Sequence, residues 1–161
     1  MTIHSIDGTV LPFIYMDDFT ESDTAFVCAT WANSLFDSVK ASLYFPARDA
    51  KRHLNDIMQA VLVYPSTQIK LFRLKDDPTS ILAYAIYDVT EKVLHYCYTK
   101  FEYRLGSLAC NLCLGKGLEY YSLETGMKLP SFMCHLKFHP YFLYGVMQNY
   151  GCEISSNASK R

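Results

Sequence analysis

The spacing of hydrophobic and polar positions predicts two helices in the first part of the chain. From Ala47 to Leu62, apolar residues recur about every 3.6 positions and charged residues fill the opposite face. This pattern is typical of an amphipathic helix with one face against a core. An earlier helix is expected to run to about Phe36, and Thr20 and Asp23 at its start have the spacing of a capping box.

Three strand-like segments follow the second helix. They span residues 67–74, 81–89 and 93–99, and turn residues over 75–80 and 90–92 separate them. Such short connections join antiparallel neighbours, so the segments predict a meander. The second and third segments are apolar on both faces, which predicts central strands covered by helices on each side.

Two further elements are predicted before and after the meander. A first strand is expected over residues 9–15, where Pro12 favours an edge position. After the meander, we expect a helix over residues 107–125. Gly115 and Gly117 are costly inside a helix, and their simplest use there is close approach to another element.

The end of the chain completes the predicted fold. We expect a strand over 131–138, an aromatic helix over 140–149 and a last strand over 151–154. The predicted order is β-α-α-β-β-β-α-β-α-β, in an α/β (α+β) fold with a mixed, mainly antiparallel central sheet flanked by helices. Residues 1–154 are predicted to form one domain, and residues 155–161 a disordered tail.

Charge and hydropathy narrow the classes of partner. Lys and Arg total 15, against 16 for Asp and Glu, and no basic stripe follows the sequence, so nucleic-acid binding is not expected. No apolar run approaches the roughly 20 residues that span a bilayer, and the start of the chain does not resemble a signal peptide. We therefore expect a cytoplasmic protein that does not bind a membrane.

The cysteines are expected to be reduced in that compartment. Most of the six lie in apolar periodic segments, where a free thiol behaves as a small hydrophobe. Cys110 and Cys113 have the spacing of a redox or zinc pair, but no second pair or histidine cluster follows at ligand spacing. No metal site is predicted.

The segment from Val93 to Ala109 carries the candidate chemistry. A helix that begins directly after a buried strand presents unpaired backbone N–H groups and a positive dipole end to a phosphate or pyrophosphate. Gly106 and Ser107 are small enough for close approach, and Arg104 supplies a guanidinium for charge-assisted hydrogen bonds. The alternative is an ordinary strand–loop–helix connection with a solvated arginine.

The element order and residues 94–109 resemble the GCN5-related N-acetyltransferase (GNAT) superfamily. In that family the fourth strand splays from the fifth, acetyl-coenzyme A lies in the opening, and its pantetheine pairs with the fourth strand. The resemblance implies that Tyr98 and Thr99 supply those strand contacts. It also implies a pyrophosphate loop, formed by Arg104, Leu105, Gly106, Ser107, Leu108 and Ala109.

The loop departs from the family pattern (Gln/Arg)-x-x-Gly-x-(Gly/Ala) in either alignment. With Arg104 and Ala109 at its ends, Ser107 takes the place of the central glycine. With Gly106 at the centre, Tyr103 and Leu108 take the ends. Coenzyme binding by this loop is therefore an expectation that depends on the element order as well as the motif.

The resemblance also implies which residues handle protons. Family members often carry a Tyr four residues before a Gly near the last strand, but before Gly151 that position is Met147, so Tyr144 is the nearest substitute. His135 and His95 lie in predicted strands, where either could face the cleft as a base or hold a water. Packing in the core is the alternative for each of these residues.

Two functions from different classes follow. The first is an acetyl-coenzyme A-dependent N-acyltransferase acting on a small amine or a protein amine. The second is a binding protein that keeps the scaffold without the chemistry, which the missing loop glycine and Met147 favour. The chain resembles short GNAT-like chains of tailed phages, which would make a host protein its acceptor or partner. The aromatic segment 138–144 is a candidate homodimer or partner surface, with core packing as the alternative.

Overall fold

A six-stranded sheet forms the centre of the computed structural model, which describes residues 13–38, 46–106, 108–122 and 131–139. The strands lie in sequence order from β1 to β6. Strands β1 to β4 are antiparallel, and β5 and β6 then add in parallel to β4. The predicted fold class is therefore confirmed: a mixed, mainly antiparallel sheet flanked by helices.

The element bounds can be compared directly with the prediction. The strands are β1 (Ile14–Asp18), β2 (Thr67–Leu74), β3 (Ile81–Asp88), β4 (Val93–Thr99), β5 (Tyr120–Tyr121) and β6 (Lys137–Phe138). The α-helices are α1 (Thr24–Ser38), α2 (Ala47–Leu62) and α3 (Leu108–Asn111). Short 3₁₀ helices cover Glu21–Asp23, Phe101–Gly106 and Ser131–Met133.

Helices pack against both faces of the sheet. On one face, α1 and α2 bury a cluster around Trp31, whose ring stacks on Tyr96 of β4. On the other face, α3 and the turn after it bury Leu108 and Leu112 against β3 and β4. Every residue of β3 is buried, so the prediction of a central strand with helices on both sides is confirmed for β3.

An ion cluster centred on the buried Arg73–Asp23 pair attaches the 3₁₀ helix before α1 to the sheet. The Arg73 guanidinium on β2 donates from Nη2 to Asp23 Oδ2 at 2.7 Å, from Nε to Asp17 Oδ2 at 2.8 Å and from Nη1 to the Pro78 carbonyl at 3.2 Å. Asp23 also accepts from the Thr20 backbone N–H at 2.9 Å and from its hydroxyl at 2.8 Å. The capping pair predicted from the sequence is thus present, and its carboxylate also pairs with a buried cation.

The prediction of a long helix over residues 107–125 is wrong. Helix α3 ends at Asn111, and β5 forms at Tyr120 and Tyr121 inside the segment that was expected to be helical. Turns with i→i+3 hydrogen bonds follow α3, and Gly115 and Gly117 then have φ angles of +71° and +66°, which a continuing right-handed helix does not allow. A Cβ on either glycine would meet nothing within 4 Å, so close approach to another element is not their role.

Alanine at Gly115 or Gly117 is expected to lower the free energy of unfolding by about 1–2 kcal/mol, because an L-residue at these φ angles is strained. Asparagine should cost less than alanine, since it tolerates the left-handed region better. Urea unfolding of both variants at each position measures the difference. Equal stability of the alanine variants and the wild type would contradict the backbone explanation.

Other predictions are corrected or lie outside the described residues. The first strand is displaced towards the C-terminus, to Ile14–Asp18, and it does lie at the sheet edge. The strand expected over 131–138 is limited to Lys137–Phe138, after a 3₁₀ helix. The predicted elements over 140–154 and the tail lie outside the described residues. None of the described helices is long and apolar enough to cross a bilayer.

Candidate functional site

Strands β4 and β5 pair in parallel at the start of β4. Val93 pairs with Tyr120 and Leu94 with Tyr121, and the Ser122 N–H donates to the Leu94 carbonyl at 3.0 Å. Among the described residues this pairing ends at Leu94, and β4 continues to Thr99. Residues 95–99 are thus the part of β4 that lies beyond its described pairing with β5.

A β-bulge follows the described pairing of β4 with β5. Tyr87 pairs with Leu94 and Ile86 pairs with Tyr96, so His95 is the extra residue on β4. A bulge bends its strand and increases the local twist. The bulge at His95 thus lies directly after the described pairing of β4 with β5.

His95 and Ser122 form a buried pair at this bulge. His95 Nδ1 lies 2.9 Å from Ser122 Oγ, and both residues are 2% exposed. Burial lowers the pKa of His95 to about 4, although the nearby Asp88 carboxylate opposes the shift. The imidazole is therefore neutral at pH 7, and its polar pair holds the end of β5 against β4.

The Asp88 carboxylate is held by bonds from the turn and from the start of β2. Asp88 is fully buried, and its Oδ1 accepts from the Glu91 N–H at 2.8 Å. Its Oδ2 accepts from the Ser66 hydroxyl. This network fixes the β3–β4 turn beneath His95.

Tyr98 and Thr99 place their side chains in different packing environments at the end of β4. Tyr98 is partly buried and stacks on Tyr84 with ring centroids 5.2 Å apart, and Phe26 of α1 packs edge-on at 5.6 Å. The Thr99 hydroxyl accepts a hydrogen bond from the Ala109 backbone N–H of α3 at 3.2 Å. The two residues predicted for strand contacts thus lie at the end of β4, with side chains used for packing and for capping.

The predicted pyrophosphate loop is mostly helical. Arg104, Leu105 and Gly106 lie in the 3₁₀ helix, and Ser107 lies outside the described residues. Leu108 and Ala109 begin α3 and are buried. The strand-to-helix connection predicted from the sequence is present, but its helix is about one turn long and the Ala109 amide donates to Thr99.

Replacing Thr99 by valine is expected to lower the free energy of unfolding by about 1–2 kcal/mol, because the buried Ala109 N–H loses its acceptor. Thr99→Ser keeps the hydroxyl and serves as the matched control, with a smaller loss. Urea unfolding compares the two. If valine and serine cost the same, the hydroxyl does not cap α3.

The predicted catalytic residues are not brought to β4 in the described residues. His135 lies after the 3₁₀ helix, not in the middle of a strand, and its Nε2–H donates to the Leu118 carbonyl at 3.1 Å. Its side chain is exposed. Tyr144 lies outside the described residues. Ser122 was missed by the sequence analysis, because its position fell within the expected helix and nothing around it signals a strand end.

Comparisons with known proteins leave the family of this chain open. No family profile and no curated protein sequence matches it. The crystal structure of a possible acetyltransferase from Clostridium difficile 630 aligns with 75% of this chain and 84% of its own length, at 12% identity and a TM-score of 0.40. A likeness at that level decides nothing about the site, so a function for this chain has to rest on its own geometry.

Proposed function

We propose that this chain is a GNAT-like N-acyltransferase that binds an acyl-coenzyme A, with acetyl-coenzyme A as the expected donor, alongside the second half of β4. The observation that carries the proposal is the arrangement around β4, which pairs in parallel with β5 at Val93 and Leu94, has a bulge at His95 and leads through a 3₁₀ helix into α3. A bulge bends its strand, and an extended ligand whose amide groups pair like a strand, as those of pantetheine do, would lie along β4 beyond the bulge.

The reaction would join the acyl group to an amine without a covalent enzyme intermediate. The amine nitrogen attacks the thioester carbonyl carbon, a C–N bond forms and the C–S bond breaks. A base removes the proton from nitrogen, and the coenzyme thiolate accepts one from an acid. The acceptor is a small amine or a protein amine.

His135 and Tyr144 are proposed as the base and the acid on the resemblance alone. His95 is buried and its pKa lies near 4, which does not suit a general base at neutral pH. His135 is exposed, and its bond to the Leu118 carbonyl leaves Nδ1 as the nitrogen that accepts a proton. Tyr144 would protonate the thiolate.

A second candidate is a binding protein that keeps this scaffold without the reaction. One observation favours it: the Ala109 amide, expected to face a pyrophosphate, donates to Thr99, and α3 is about one turn long. A helix that short contributes little dipole to an anion site. Phe138 of β6, at the edge of the candidate partner surface, is 43% exposed and would contribute to a homodimer or host-protein contact.

Calorimetric titration of the full chain with acetyl-coenzyme A tests the coenzyme site. Saturable binding is expected for the wild type. Arg104→Glu and Ser107→Glu should each weaken binding at least tenfold, because an added carboxylate repels the phosphates. Arg52→Glu makes the same charge reversal on the exposed face of α2 and should bind like the wild type. No heat at millimolar coenzyme would exclude both the site and the enzyme.

Release of free coenzyme, measured by chromatography with a panel of amines, then separates the two candidates. An acyltransferase should release coenzyme only when an acceptor amine is present. His135→Gln should lose most of that rate while keeping coenzyme affinity. Binding without turnover across small amines and lysine peptides would favour the binding protein.

A further inference from the structure

Three cysteine thiols meet in the core between β4 and α3. Cys97 lies on β4, Cys110 on α3 and Cys113 in the turn that follows, and they are 3%, 8% and 7% exposed. All three are free thiols, and the Cys97 and Cys113 sulfurs lie 3.8 Å apart. The Cys110–Cys113 spacing noted in the sequence therefore has a third partner that only the fold brings near.

We propose that Cys97 and Cys113 are an oxidation site that forms a reversible disulfide on reaction with a hydroperoxide. The Cys113 thiolate attacks the peroxide, the O–O bond breaks, and Cys113 becomes a sulfenic acid. The Cys97 sulfur then attacks the Cys113 sulfur, and the hydroxyl leaves as water with the Cys97 proton. Two thiols are oxidised by two electrons, and hydrogen peroxide is reduced to two waters. This inference goes beyond the proposed function and does not depend on it.

The geometry requires only a small movement. A disulfide bond is about 2.05 Å long, so the two sulfurs must approach by less than 2 Å, which is within the range of side-chain adjustment. Cys113 lies in a turn outside any long helix, two residues before Gly115 at φ +71°. The partner strand β4 is held by the sheet, so the turn is the element that would adjust.

The surroundings distinguish the three sulfurs. Cys110 and Cys113 are both more exposed than Cys97, and the 3.8 Å contact makes Cys113 the sulfur that is paired with Cys97. Hydrogen bonds with Cys110 and Cys113, together with burial, raise the pKa of Cys97, which keeps that thiol protonated until it attacks. The hydrogen bond from Cys97 lowers the pKa of Cys110, although burial opposes this. Cys110 is therefore the competing site of first attack, and the peptide map distinguishes it from Cys113.

Other cysteines provide matched controls. Cys28 is buried on the opposite face of the sheet, where it accepts a hydrogen bond from Gln59, and Cys134 is exposed. Neither belongs to the thiol cluster. Their serine variants should leave the reaction unchanged.

The experiment treats the folded full chain with hydrogen peroxide, alkylates the remaining thiols and measures intact mass and peptide maps. The wild type, Cys28→Ser, Cys134→Ser and Cys110→Ser should lose 2 Da in a Cys97–Cys113 link that dithiothreitol reverses. Cys97→Ser and Cys113→Ser should not form it. The oxidised wild type should also melt at least about 5 °C higher, because the link closes a loop in the unfolded chain.

The wild-type peptide map is decisive even where a serine variant fails to fold. A link through Cys110 or any other cysteine, or no loss of 2 Da, would overturn the proposal. A link that forms only in urea would overturn it too, because the folded contact would then play no part. Coenzyme titration of the reduced protein is a separate measurement, so failure of the acyltransferase proposal leaves this one standing.

Discussion

Replacing Arg73 by alanine is expected to lower the free energy of unfolding by about 3–5 kcal/mol, the largest loss expected from any single substitution considered for this chain. Arg73 and Asp23 are each 6% exposed, and removal of the guanidinium leaves the Asp23 carboxylate buried beside Thr20 without its cation. The loss exceeds that of a surface ion pair, which contributes about 0–1 kcal/mol, because neither partner is solvated. Urea unfolding at pH 7 measures it.

Two variants separate the ion pair from general disruption of β2. Arg73→Met with Asp23→Asn removes both charges and should recover a large part of the loss seen in Arg73→Ala. Arg52→Ala removes an exposed arginine that faces Asp49 at 3.9 Å, and should change stability by less than 1 kcal/mol. A loss below about 1 kcal/mol for Arg73→Ala would show that water replaces the guanidinium in the folded protein.

The Arg73–Asp23 pair also makes the free energy of unfolding depend on pH in the acid range. Burial raises the pKa of Asp23, but hydrogen bonds from Arg73 and Thr20 and the Arg73 charge outweigh it, so the folded pKa lies below the ordinary value of 3.8. The carboxylate therefore stabilises the fold above about pH 3.8, and that contribution is lost as the pH falls through the folded pKa.

The sequence predicted the elements whose periodicity is undisturbed. Helix α2 and strands β2 and β4 have the bounds expected from spacing alone, because one period runs without interruption between clear turn residues. Burial of all of β3 followed from its apolar residues on both faces.

Hydrophobic periodicity did not predict the structure of the region after β4. Apolar residues from Leu108 to Cys113 continue a helical period, but α3 ends at Asn111, and the two glycines at positive φ lie in the turns that lead to β5. A strand of two residues has too little sequence to signal itself. It exists because β4 supplies its hydrogen-bond partners.

In the candidate site, too, local spacing predicted some features and strand pairing determined the others. Sequence spacing placed Tyr98, Thr99 and a helix start next to one another, and the structure does bring Thr99 to Ala109. The bulge at His95 and its contact with Ser122 depend on pairing between strands, which no local pattern encodes. The place proposed for the coenzyme thus depends on strand pairing across the sheet.

The His95–Ser122 pair leads to the second large effect: the wild type should lose about 3 kcal/mol of stability between pH 6.5 and pH 4. Burial lowers the pKa of His95 in the folded protein to about 4, against an ordinary value of 6.5 in the unfolded chain. The unfolded chain therefore binds a proton that the folded protein refuses, and stability falls as the pH drops through this window. The gap between the two pKa values corresponds to about 3 kcal/mol.

Urea unfolding at half-unit pH steps measures this decline in the wild type and in His95→Gln. The glutamine variant should be less stable at pH 7, because the bond to Ser122 is altered, but its stability should change little between pH 6.5 and pH 4. His135→Gln, made at an exposed site, retains His95 and should keep the wild-type decline. The Asp23 effect begins only near the lower end of this window and grows below it, so the difference between the wild type and His95→Gln, which keeps Asp23, isolates the His95 contribution. If stability declines equally in His95→Gln, the decline does not come from His95. His95 would then take up its proton in the folded state as readily as in the unfolded chain, and β4 would have to open at the bulge to admit water.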